Sequence, residues 1–160
     1  EFGLVLAAGS PDEEGIGNEV AALIAELQST RSNVWWIKEM LPHDQLTAML
    51  TAADLFVCPS IYEPLGIVNL EAMGCETAVL GSRVGGIPEV VADEETGELV
   101  DYNGEAAPFE KALTESITRL MSQPELLKKY GAAGRVRAQK LFGWDAVAAL
   151  TVDLYRKVIG

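Results

Sequence analysis

Residues 54–74 read DLFVCPSIYEPLGIVNLEAMG. Residues 54–60, DLFVCPS, hold an apolar run at 55–58 that is too short for a helix and stops at Pro59. A short run bounded this way is a buried strand. Residues 60–66, with Pro64 and Gly66, then make a loop. From Gly66 onward Ile67, Val68, Leu70, Ala72 and Met73 predict a helix that is apolar on nearly all sides and therefore buried. Strand, loop and buried helix in 21 residues is half of a βαβ unit, which requires a parallel sheet.

The same alternation runs outward from this segment. Residues 3–8 (GLVLAA), 33–38 (NVWWIK), 77–82 (TAVLGS) and 96–100 (TGELV) read as further strands. Val20, Leu23, Ile24 and Leu27 fall at helical spacing, as do Leu46, Met49, Leu50 and Ala53. In residues 84–91 (VGGIPEVV) a glycine turn enters a helix, with Pro88 suited to its first turn. Residues 105–159 show helical periodicity only, with Leu113, Ile117, Leu120 and Met121 on one face. Pro124 opens a second helix there, and Val147, Leu150, Leu154 and Val158 mark a third. The expectation is an α/β fold: a doubly wound, Rossmann-like parallel sheet with a helical C-terminal tail.

Composition bounds the function. The 160 residues suffice for one domain with its own core, and 49% hydrophobic with 22% charged residues is globular. A net charge of −12 argues against a nucleic-acid or anionic-membrane partner, both of which attract clustered Lys and Arg. No apolar run reaches the ~18 residues of a membrane span. Glu1 opens directly into a short apolar run, so no leader is expected. Cys58 and Cys75 have no metal or redox spacing and read as small core residues, which suits a cytoplasmic protein. Trp35 and Trp36, on opposite faces of one strand, both read as core. Trp144 reads as the anchor of the last helix, and His43 as a surface or helix-start residue. The acidic runs 12–14 and 92–98 read as solvated loops.

Two glutamates stand out in the opening stretch. A buried ionised carboxylate is costly unless paired. Ligands of doubly wound folds bind beyond the carboxyl ends of the strands, which selects loops 9–12, 39–43, 60–66 and 82–88. Glu63 lies in one of them. The N–H groups of Gly66, Ile67 and Val68 open the following helix and form an anion site suited to phosphate. Glu71, one turn in, shares a face with Ile67 and Val68 and can accept hydrogen bonds from a diol such as ribose. The spacing suits a sugar–phosphate–sugar ligand. It equally allows Glu63 to be solvated and Glu71 to be held by an Arg or a backbone group.

EPLGIVNLEAM, residues 63–73, resembles the E-x7-E signature of the retaining glycosyltransferases of family four (group one), which have the GT-B fold. The likeness runs through residues 56–91, to TGELV and to the tail FGWDAVAALTVDLYRKVI, and is nearest to actinobacterial-type bacterial glycogen synthases. The resemblance implies that residues 1–160 are the nucleotide-sugar donor-binding domain of such an enzyme, its acceptor domain absent. It implies that Glu63 contacts the donor hexose and supports the transition state, and that Leu65 and Gly66 face the same sugar. Ile67 and Val68 would offer amides to the diphosphate, and Glu71 would hold the ribose. Met40 and Leu41 would hold the base, adenine or uracil, and Gly85 and Gly86 would shape the crevice. The donor would be ADP-glucose or UDP-glucose and the acceptor an α-glucan or related sugar, with no metal and no other cofactor. A nucleotide-sugar-binding module without catalysis is the alternative.

The family's opening strand, with its Gly-Arg…Lys-Gly segment, has no counterpart here. Lys38 and Arg83 are the nearest basic residues, and Arg83 reads as a solvated loop residue. In a sheet of order 3-2-1-4-5-6 the first strand is central. Without it two half-sheets remain, with unpaired edges. The expected remedies are direct pairing of the flanking strands, strand exchange in a dimer, or a sequence that is part of a longer chain.

Overall fold

The computed structural model describes residues 2–9, 11 and 13–160. Of the predicted loop 9–12 and the acidic run 12–14, residues 10 and 12 lie outside the described set. The chain divides into two compact units, residues 1–46 and 47–160.

In the first unit β1 (Leu4–Ala7) and β2 (Val34–Ile37) pair in parallel, Leu4 opposite Val34 and Ala7 opposite Ile37. The crossover between them is α1 (Glu14–Thr30). Gln28 Nε2 donates to the Val34 carbonyl at 3.0 Å, and Arg31 and Asn33 both donate to the Phe2 carbonyl. Burial here is thin. Ile24 and Val34 are the buried hydrophobic residues described in this unit. The expectation of a buried first strand is therefore corrected: Leu4 and Val5 are exposed, because a two-stranded sheet covers little of its own surface. Trp35, expected in the core, is 52% exposed, whereas Trp36 is half-buried with the Lys38 ammonium 4.2 Å above its ring.

The helix α2 (His43–Ala52) runs from the first unit into the second, and His43 stands at its start as expected. In the second unit β3 (Leu55–Cys58), β4 (Ala78–Ser82) and β5 (Gly97–Val100) form a parallel sheet in that order. Between them lie α3 (Ile67–Gly74) and the short α4 (Ile87–Val90), which has Pro88 in its first turn as expected. Every residue of β4 is buried, as a central strand covered on both faces requires. Its even residues Ala78 and Leu80 join Val100, Phe109, Leu120, Leu127 and Tyr130 in one cluster. Its odd residues turn the other way: a Cβ on Gly81 would stand 2.9 Å from Ile87 Cγ2.

That first cluster is supplied by α5 (Ala106–Met121) and α6 (Pro124–Arg137), the predicted tail helices. α6 carries Gly131 and Gly134 on the side that meets the α3–β4 connection. A Cβ on Gly131 would fall 1.9 Å from the Glu76 carbonyl oxygen, so only glycine permits this approach. Arg137 caps α4 by donating to the Glu89 and Val90 carbonyls. A π-helical turn, Ala138–Phe142, leads to α7 (Trp144–Ile159), which has no buried residue. Trp144 is 88% exposed, contrary to the expectation that it anchors the last helix.

The strands thus form two sheets, β1-β2 and β3-β4-β5. These are the two runs that a 3-2-1-4-5-6 order leaves once strand 1 is removed. Among the described residues no helix is long and apolar enough to cross a membrane.

Candidate donor site at the carboxyl ends of the strands

β3 delivers its loop to the edge where β4 also ends. The Ser82 hydroxyl donates to the Ser60 carbonyl and ties the two strand ends together. The loop after β4 then runs against residues 63–65. The Gly86 N–H donates to the Glu63 carbonyl at 2.9 Å. Gly85 has φ 54°, and a Cβ there would lie 1.9 Å from the Glu63 oxygen; one on Gly86 would lie 2.3 Å from the Pro64 oxygen. Both glycines are required by backbone-to-backbone contact. Gly85 and Gly86 therefore meet Glu63 and Leu65 directly.

Gly66 begins α3 in the left-handed region, φ 86°, with no side-chain cap. The N–H groups of the first turn, Ile67 and Val68 among them, have no intrahelical acceptor and carry the positive end of the helix dipole. Glu71 lies four residues beyond Ile67 on the same face. α3 is not buried all round: Ile67 is 65% exposed, Val68 and Glu71 are half-buried, and only Asn69, Ala72 and Met73 face fully inward. Ile61 and Tyr62, just before Glu63, are exposed as well. Apolar side chains left open together at one edge are what a ligand-binding surface presents.

Neither the Glu63 nor the Glu71 carboxylate has a hydrogen-bond or ion-pair partner among the described residues, although both are half-buried. An Arg or backbone partner for Glu71, the structural alternative, is not found there. Arg83, at the same strand edge, is committed elsewhere. It pairs with Asp93 at 2.5 Å and Asp101 at 2.7 Å, which raise its guanidinium pKa further. It is thus no free loop residue. The run 92–98 is likewise more than solvated acid: Asp93 also accepts from the Leu99 N–H, and Glu98 is held by Ser116 and Arg119.

Met40 and Leu41 follow β2 in the first unit, Met40 88% exposed and Leu41 half-buried. The residue that the sequence reading passed over is Asn69. It is 0% exposed, and both its amide nitrogen and its oxygen lack partners among the described residues. Each such unmade bond costs about 1–3 kcal/mol. Its signal was plain in the sequence: a single amide inside an otherwise apolar helix face.

A profile described as glycosyl transferases group 1 matches residues 5–137. An α-maltose-1-phosphate synthase of Mycolicibacterium smegmatis is 49% identical over 97% of this chain and 40% of that protein. The sucrose-phosphate synthase of Thermosynechococcus elongatus superposes with a TM-score of 0.80 at 34% identity, over 98% of this chain and 38% of that one. Anabaena HepE, solved in complex with UDP-glucose, shares the fold with a TM-score of 0.73 at 20% identity, covering 94% of this chain and 41% of its own. The chain spans about two-fifths of the length of such relatives.

Proposed function

From the premise that the chain belongs to the glycosyl transferases group 1 family and has the α/β fold of a GT-B C-terminal domain, we propose that it is the donor-binding domain of a retaining glucosyltransferase. The observation that carries the reading is the pair of unpartnered, half-buried carboxylates on either side of a helix N-terminus, with Gly85 and Gly86 in contact with the Glu63 loop. A diphosphate takes the N–H groups of Ile67 and Val68. Glu71 accepts from the ribose hydroxyls. Leu65 and Gly66 face the hexose through their backbone. Glu63 stands beside the hexose and supports the positive charge that grows at its anomeric carbon as the diphosphate leaves. The reaction, nucleoside-diphosphate glucose plus a sugar hydroxyl, breaks the anomeric C–O bond to the diphosphate and forms a new one with retention. It uses no metal.

The acceptor is a sugar, either an α-glucan as in glycogen synthesis or a phosphorylated sugar. The α-maltose-1-phosphate synthase and the sucrose-phosphate synthase, at 49% and 34% identity, are both named for sugar phosphate products, which favours the phosphorylated sugar. Residues 1–160 alone are expected to bind donor without turning it over. Arg83 is held by two aspartates and Lys38 lies over Trp36, so neither is free to neutralise the leaving diphosphate.

Calorimetric titration of the chain with ADP-glucose and UDP-glucose tests this. One donor is expected to bind, with its affinity lowered about tenfold or more in Glu71→Gln, the loss of a charge-assisted hydrogen bond. A folded chain that binds neither donor sinks the proposal. Turnover of donor and sugar by the same chain would show that the basic groups are not limiting.

A further inference from the structure

Gly66 marks a point where two side chains converge. The Asn69 Nδ2 lies 2.4 Å, and the Glu63 Cγ 3.4 Å, from the place a Cβ would occupy on Gly66. The left-handed backbone, φ 86°, keeps that place empty. Asn69 is fully buried with both polar atoms unpartnered among the described residues, and Glu63 is half-buried without a partner there. Buried amides are as a rule satisfied, and an apolar residue at 69 would avoid the cost altogether. An amide donor and a carboxylate acceptor are complementary, and the Asn69 Nδ2 lies on the side of the amide that faces Gly66.

We infer that Asn69 is a positioning residue for Glu63. When the hexose of the donor fills the crevice, the Glu63 carboxylate turns toward Gly66 and accepts a hydrogen bond from Asn69 Nδ2. One carboxylate oxygen is fixed by the amide, and the other is left facing the sugar. The buried amide is thereby satisfied in the donor complex alone, so part of the discrimination for a sugar-bearing nucleotide resides in a residue that never touches the sugar. This rests on the donor-site reading above.

The test is titration of the chain, wild type and variants, with UDP-glucose and UDP, and with ADP-glucose and ADP. The variants are Asn69→Leu, Asn69→Ala as a smaller second substitution, Glu63→Gln, and the double variant Asn69→Leu/Glu63→Gln. The melting temperature of each is measured alongside. Asn69→Leu is expected to melt no lower than wild type, to bind the sugar nucleotide about tenfold more weakly, and to bind the bare diphosphate unchanged. The double variant is expected to lose no more than the worse of its single variants. If the sugar nucleotide and the bare diphosphate weaken together, Asn69 shapes the helix rather than Glu63, and the inference falls. It falls too if neither ligand responds in both substitutions, or if the effects at 63 and 69 simply add. A wild-type chain that binds none of the four ligands removes the donor-site reading itself, and the inference with it.

Discussion

Gly86 has no room for a side chain. Its Cβ would enter the Pro64 carbonyl oxygen, and its N–H holds the Glu63 carbonyl. Gly86→Ala must therefore push the Glu63 loop outward. The expected outcome is a loss of about 1–3 kcal/mol of stability together with loss of donor binding, measured by denaturant melts and calorimetry. Tyr130 gives a second expectation at this scale. It is 5% exposed, and burial first, then Glu98 and Glu94, pushes its phenol above the usual value near 10. A raised folded-state pKa means that the unfolded chain releases the proton first as pH rises. Stability is then full below about pH 10 and declines as pH climbs toward the folded pKa. Denaturant melts from pH 9 to 11 are expected to show this decline, with a shallower slope in Tyr130→Phe. An equal slope in both would assign the decline to other groups.

Among the elements, α6 and α7 make opposite use of similar helical sequence. α6 buries Leu127, Tyr130, Gly131 and Gly134, and its glycines let it lie against the turn between α3 and β4. Its contacts with α3 and β4 make it part of the frame that holds the candidate site. α7 has an apolar stripe of the same period, yet Leu150, Leu154 and Val158 are 67%, 58% and 76% exposed. Amphipathic pattern states that a face can be buried and leaves open what buries it. Leu150→Glu in this chain is thus expected to change stability by less than about 0.5 kcal/mol, the usual range for exposed positions. A drop of 2 kcal/mol or more, on the scale of a lost core leucine, would show that α7 packs in solution.

At the scale of the whole molecule, stability should be unevenly held. Residues 47–160 contain a central strand buried along its full length and a core built from β4, β5, α5 and α6. Residues 1–46 have a two-stranded sheet and a thin set of buried side chains, a size of sheet that is marginal by itself. Hydrogen exchange is expected to show the amides of β1 and β2 opening well before those of β4, at lower free energy. Protection of β1 equal to that of β4 would mean that the first unit is held by more than its own contacts.

The local pattern of the sequence determined a great deal. All five strands lie within the predicted segments, the order of helices follows their periodicity, and Pro88, Pro124 and Gly66 stand at helix starts. These follow from backbone preferences and residue spacing, which act over a few residues. The division of the strands into β1-β2 and β3-β4-β5 agrees with the expected break in strand order. Burial and partnership were decided only by the tertiary structure. Trp35 and Trp144 carry the residue type of a core and lie exposed, because exposure depends on what else reaches them. Arg83 and Glu98 read as surface charges and are bound across 10 to 21 residues of chain. Asn69 was visible as a letter, but that its amide sits buried behind Gly66 without a partner is a fact of three dimensions. The sequence specified which groups the site contains; the close approach of two glycine-bearing loops decided which of them meet.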